Sequence, residues 1–140
     1  MDAQLVEKWN ELCGRLQSTG YDSLSSAEKL WLVTRELIDS TNNGGMISYF
    51  YNSGADHLDD CVAALRQLGM EGVHEQVLRV CQLFQTGVPA TVSTRNEIIE
   101  SWDGTADDLL QDIDDAVFSL FPDLERRLDK FVSDNILQNS

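Results

Sequence analysis

The sequence predicts a single all-α domain of seven or eight helices, spanning residues 1–140. Three observations predict it. Apolar residues recur at steps of three and four over most of the chain. The breaks between these stretches carry Gly, Asn, Ser or Asp, the residues that start and stop helices. No 20–50-residue repeat, low-complexity tract or linker-like composition divides the 140 residues. A chain of this length suits one domain. It buries about two thirds of its unfolded surface, so it needs neither disulfide nor metal to fold.

The elements follow in order. Leu5, Trp9, Leu12, Cys13 and Leu16 make residues 3–18 an amphipathic helix. Residues 20–23 read as a loop. A second helix starts near Ser25, where Ser25 and Glu28 match a capping box and Leu24 stands in the staple position. Its inner face is Leu30, Trp31, Thr34, Leu37, Ile38 and Thr41, and Asn42-Asn43-Gly44-Gly45 ends it. Residues 46–52 are expected to be a short helix. Their Ile, Tyr, Phe, Tyr run also fits a strand, but a lone strand would have nothing to pair with.

Leu58, Cys61, Val62, Leu65 and Leu68 define a fourth helix, stopped by Gly69. Val73, Val77, Leu78, Val80, Cys81 and Phe84 define a fifth, ending at Gly87. Residues 88–93 read as a loop. Thr94 and Glu97 form a second capping-box pair, opening a helix with Ile98, Ile99 and Trp102 inward, and Asp103-Gly104 breaks it. Thr105 is expected to cap a seventh helix that turns Leu109, Leu110, Ile113, Ala116, Val117 and Leu120 inward. Pro122 suits the first turn of a last helix, with Leu124, Leu128, Phe131, Val132 and Ile136 as core positions.

Charge is the unusual property. Against 24 acidic residues stand 10 basic ones, a net −14. Nucleic acid and anionic lipid both need a positive surface, so direct binding to either is excluded and basic partners are favoured. The excess is concentrated. Between Arg95 and Arg126 there is no Lys or Arg, while Glu97, Glu100, Asp103, Asp107, Asp108, Asp112, Asp114, Asp115 and Asp123 fall in that window. Asp108, Asp112 and Asp115 follow i, i+4, i+7 and share a helix face, flanked by Asp107 and Asp114.

An i, i+4 step advances about 6 Å along a helix. Successive phosphates on one DNA strand are about as far apart, roughly twice the 3.4 Å rise per strand. The row from Glu97 to Asp115, with Asp56, Asp59 and Asp60 as a second row, is therefore expected to offer basic DNA-binding proteins a phosphate-like surface. The rival reading is an ordinary solvated face. Helix-dipole complementarity accounts for Asp107 and Asp108. It does not account for Asp112, Asp114 and Asp115, which sit mid-helix where Asp is a poor helix former.

Catalytic motifs are lacking. Ser26-Ala27-Glu28-Lys29 matches Ser-x-x-Lys, but it sits in the capping box of a helix start. There is no Gly-x-Ser-x-Gly, His-Glu-x-x-His or Gly-rich phosphate loop with Lys. Residues 103–108 lack the ligand order of an EF-hand. His57 near Asp56, Asp59 and Asp60 reads as an exposed residue at a helix start rather than a metal ligand. Cys13, Cys61 and Cys81 are an odd count without a Cys-x-x-Cys, and they read as buried, reduced thiols. The opening Met1-Asp2-Ala3-Gln4 leads into no apolar signal segment, and no run of 18 apolar residues exists. The expectation is a cytoplasmic, non-enzymatic protein that uses no metal and no cofactor.

One segment stands out from the periodic pattern: Asn43-Gly44-Gly45-Met46-Ile47-Ser48-Tyr49-Phe50-Tyr51-Asn52-Ser53-Gly54. Read from its residues, it is a tight helix–helix corner. Gly44 and Gly45 permit the reversal, and Asn52 and Ser53 can cap the next helix. A second reading is a contact patch or small pocket built from Asn43, Tyr49, Tyr51 and Asn52.

The segment resembles the signature of a bacterial all-helical family named after a DNA-mimic protein. That signature runs Asn-Gly-Gly-Phe, paired aromatics, Asn-Ser and Gly. Ala64-Leu65-Arg66-Gln67-Leu68-Gly69 and Asp115-Ala116-Val117-Phe118 resemble its further elements, and the likeness covers about residues 28–136. Met46 replaces the usual Phe, and Met70 a common Ala. The resemblance implies a helical bundle without enzymatic activity or cofactor. For the member that named the family, it implies a homodimer whose acidic surface occupies a DNA-binding transcription regulator. Two alternatives stay open. One is an immunity-type inhibitor of a basic toxin or nuclease. The other is a small ligand-binding or hydrolase domain centred on the segment from Tyr49 to Asp56, for which a deep polar pocket there would be the sign.

Overall fold

The computed structural model describes residues 3–138. Those residues form seven α-helices and no strand: α1 (Ala3–Thr19), α2 (Ser26–Gly44), α3 (Met46–Tyr51), α4 (Leu58–Gln67), α5 (Glu71–Leu83), α6 (Val92–Glu100) and α7 (Gly104–Val132). Single 3-10 segments cover Tyr21–Ser23 and Ser53–His57, and a π-helical turn, Ser133–Leu137, prolongs α7. Among the described residues no helix is long and apolar enough to cross a membrane.

The centre is α2. Leu30, Trp31, Leu32 and Val33 are buried in succession, so this stretch is enclosed on every side rather than amphipathic. It packs on α3, α4 and α7, while α5 lies along α7. The predicted capping box is present: Ser25 Oγ accepts the Glu28 N–H at 3.1 Å, and Glu28 Oε1 accepts the Ser25 N–H at 2.9 Å. Leu24, the staple residue, is buried. Helix α1 covers one flank, where Trp9 meets Trp31 at a centroid distance of 5.1 Å and Arg15 pairs with Glu28.

Two helix ends show why glycine is needed. Gly45 takes φ +85° and donates its N–H to the Thr41 carbonyl at 2.8 Å, closing α2 before α3 leaves in a new direction. Gly69 takes φ +72° after α4, and the Met70 N–H returns to the Leu65 carbonyl at 2.9 Å, the 6→1 bond of a Schellman end.

Three sequence expectations change in the second half. Helix α6 begins at Val92, with Thr91 accepting the Thr94 N–H at 3.4 Å, so Thr94 lies inside the helix instead of capping it. The cap of α7 is Asp103, which accepts the Thr105 N–H at 3.0 Å; Thr105 is already helical. Pro122 starts no new helix. It lies within the 29-residue α7. A proline there forfeits one backbone hydrogen bond and crowds the carbonyl four residues back, a cost of about 3 kcal/mol. The helix runs through because its apolar stripe is continuous: Val117, Phe121, Leu124, Leu128 and Val132 are all buried, before and after the proline.

Candidate functional site

The acid face forms first on α7. Leu110, Ile113 and Val117 point into the core. At about 100° per residue, Asp108, Asp112 and Asp115 fall within roughly 60° of one another on the opposite side. All three are exposed, as are Asp107, Glu97, Glu100 and Asp103. Among the described residues none of these seven carboxylates, nor Asp114, pairs with a Lys or Arg. The basic residues of α7, Arg126, Arg127 and Lys130, lie in its C-terminal third, where Asp123 engages both arginines. The helix is thus negative at its N-terminal half and mixed at its C-terminal end, the arrangement its dipole favours.

Several acids have local tasks. Asp103 caps α7. Asp115 accepts from Gln111 Nε2 at 3.1 Å, and Glu100 accepts from the exposed Tyr51 hydroxyl. Asp114 is turned sideways off the stripe, where its Oδ1 accepts the Met46 N–H at 2.8 Å and caps α3 from outside. That bond accounts for Gly45 as well: a Cβ there would stand 2.6 Å from Asp114 Oδ2. The second row differs. Asp59 is exposed, but Asp60 accepts from Tyr21 and Asp56 is bound to Arg95 at 2.7 Å.

Arg95 is the residue that sequence reasoning missed. It is wholly buried, on a helix whose apolar pattern gives it no prominence. Its guanidinium donates to the Phe50 carbonyl (2.9 Å), the Pro89 carbonyl (3.0 Å), the Asn52 carbonyl (3.0 Å) and Asp56 Oδ1 (2.7 Å). It thereby satisfies the backbone that α3 leaves unpaired at its C-terminus and ties that turn to α6 and to the 88–91 segment. The only cue in the sequence is Arg95 itself, the last cation before the acidic block.

The four motif residues are not brought together. Tyr49 is buried with its hydroxyl beside the Cys61 thiol. Burial, and after it the Cys61 thiol, raises its pKa. Tyr51 and Asn52 are on the surface, Asn52 donating to the Ser48 carbonyl at 2.6 Å. Asn43 is exposed in the last turn of α2, in a shallow depression with Asp39, Ser40 and Asn42. The depression at Asp56 holds about 350 Å³ and is walled by residues 55–60 and 88–90, with none of Tyr49, Tyr51 or Asn52 in its wall. His57 stacks on Tyr21 at 3.7 Å between centroids.

Beneath the motif, Glu36 Oε2 is buried without a partner; desolvation, then the Asp56 charge, raises its carboxyl above the usual range. Burial pushes the Cys61 thiol up to about 12, so it stays protonated and unreactive at neutral pH.

The family model of the DMP19-like proteins, named for DNA mimic protein 19, matches residues 22–135. The chain belongs to that family. The DMP19-like stretch takes in α2 to α7, hence both acid rows, the motif and Arg95; α1 precedes it. No curated protein and no solved structure matches the chain. DMP19-like membership points to interaction with a DNA-binding protein, at that coarse level.

Proposed function

We propose that this chain binds a basic DNA-binding regulator through the outward face of α6 and α7, in competition with duplex DNA. One observation carries the reading. Asp108, Asp112 and Asp115 stand in line on the side of α7 opposite its core stripe, exposed and, among the described residues, without a Lys or Arg partner, in a stretch without a single cation from residue 96 to residue 125. A one-signed surface on a folded domain costs stability through self-repulsion, and it attracts a partner of opposite sign. Glu97, Asp107 and, at the rim, Glu100 and Asp103 widen the field. Asp59 and Asp60 extend it only weakly, since Asp56 is engaged by Arg95. The DMP19-like family supports the same kind of partner.

The test is capture of the partner from native lysate at low and high salt, followed by competition with duplex DNA. Exposed charge pairs contribute about 0.2–1 kcal/mol each. Asp108→Asn, Asp112→Asn and Asp115→Asn together therefore weaken binding by about 0.6–3 kcal/mol, roughly three- to a hundredfold, and flatten its salt dependence. Binding that the triple variant leaves unchanged would remove α7 from the interface. A captured nuclease in place of a regulator would replace this reading with an immunity-type inhibitor.

A further inference from the structure

A broad cleft opens inside the acidic block. It holds about 780 Å³, a size ordinary for sites that take organic groups. It lies between the C-terminal end of α5, the turn that follows, the C-terminal end of α6 and the first turns of α7. Its walls include Leu83, Phe84, Ile98, Trp102 and Leu109. Phe84 is almost fully buried, and Trp102 stands edge-on to it at 4.9 Å, so the floor is rigid and aromatic. Gln85, in the turn that forms one wall, has φ +32°, the one positive value at a non-glycine among the described residues.

The surroundings select the occupant. Asp103 is the only charged residue in the lining, and no Lys, Arg or His contributes to it. Asp107 and Asp108 follow on α7, exposed and unpaired. Three carboxylates outweigh the partial positive charge of the α7 N-terminus. An anion is therefore repelled. An apolar group carried among cations meets both the floor and the rim.

We propose that this cleft seats an apolar side chain, aliphatic or aromatic, that stands between arginines or lysines on the basic partner. Surfaces that read DNA carry such residues, because apolar side chains contact thymine methyls or wedge between base steps beside the phosphate-binding cations. The inference rests on the acid face being the partner's docking surface and adds what charge alone does not supply. Surface charges set the approach rate and the selectivity. An anchor in a desolvated pocket, ringed by polar groups, supplies affinity that salt does not screen.

The experiment compares two synthetic helical peptides rich in Lys and Arg, identical except for a central Leu in one and Ser in the other. Binding is followed by amide and indole NMR shifts of the labelled full chain. The Leu peptide is expected to bind about ten- to a hundredfold tighter, to shift the Trp102 indole N–H, and to keep its preference at high salt. Ala106→Leu fills the cleft from α7 and is expected to erase the preference while leaving binding of the Ser peptide intact. Thr105→Trp, at the exposed rim, does the same without touching the core. Peptides that bind the α7 acid face equally, or a preference that survives both variants, overturn the anchor and leave the acid face standing. If neither peptide perturbs the Asp108, Asp112 and Asp115 amides, the docking surface itself is refuted.

Discussion

Replacing Arg95 with methionine keeps an unbranched apolar stem and removes every donor. Four acceptors then lose their partner. The Phe50 carbonyl is the costly one, because its bond is fully buried. An orphaned buried acceptor costs about 1–3 kcal/mol. The Asn52 and Pro89 carbonyls are partly buried, so water recovers part of what each loses. Asp56 has a side chain 40% exposed, and its half of the ion pair is worth little after solvent screening. Allowing for these discounts, Arg95→Met is expected to cost about 2–4 kcal/mol, a large share of the roughly 5–15 kcal/mol of an ordinary domain.

Urea denaturation followed by circular dichroism measures the loss, provided the slope stays constant. Arg95→Lys should recover only part of it, since an ammonium has three donors and no planar fork. In a double-mutant cycle, Asp56→Asn should couple to Arg95→Met by under about 1 kcal/mol, because the carbonyls carry the interaction. A loss below about 1 kcal/mol for Arg95→Met would refute the reasoning, showing that the α3 turn holds without its buried clamp.

Two further outcomes follow from the motif. Gly45→Ala is expected to destabilise by about 1–3 kcal/mol from its backbone alone, φ +85° and ψ 172° being a region open essentially to glycine, plus the crowding against Asp114; in an Asp114→Ala background, which removes both the crowding and the Met46 bond, chemical denaturation should still show the backbone cost, and its absence there would show that φ +85° is not the constraint. Glu36 has a raised folded pKa, so the native state holds that proton more tightly than the unfolded chain does. Stability is then lost as pH rises from the unfolded carboxyl pKa through the folded one. Glu36→Gln should match the parent at acid pH and exceed it at neutral pH; a variant that is less stable at neutral pH would mean that the carboxylate is satisfied in the native state.

Most of the helices were legible because their signals are local. Capping at Ser25 and Glu28, termination at Gly45 and Gly69, and the three-and-four spacing of the core residues all act within a turn or two of the chain. The misread boundaries have the same origin. Thr91, Asp103 and Thr105 are each acceptable caps, and local propensity does not rank them. Pro122 reads as a helix start until the buried stripe on both sides of it outweighs its cost.

What the sequence alone determined is the class of fold and the sign of the surface: an all-α chain with a long cation-free segment, because periodicity and charge add up residue by residue. What the tertiary structure decided is which charges are free to meet a partner. Asp114 and Asp115 are neighbours of identical chemistry, yet one caps α3 and the other faces outward, since only packing sets where a helix face points. Arg95 likewise becomes a clamp through carbonyls more than forty residues before it in the chain, contacts that no local pattern encodes. The cleft at Trp102 exists only because three helix ends converge there.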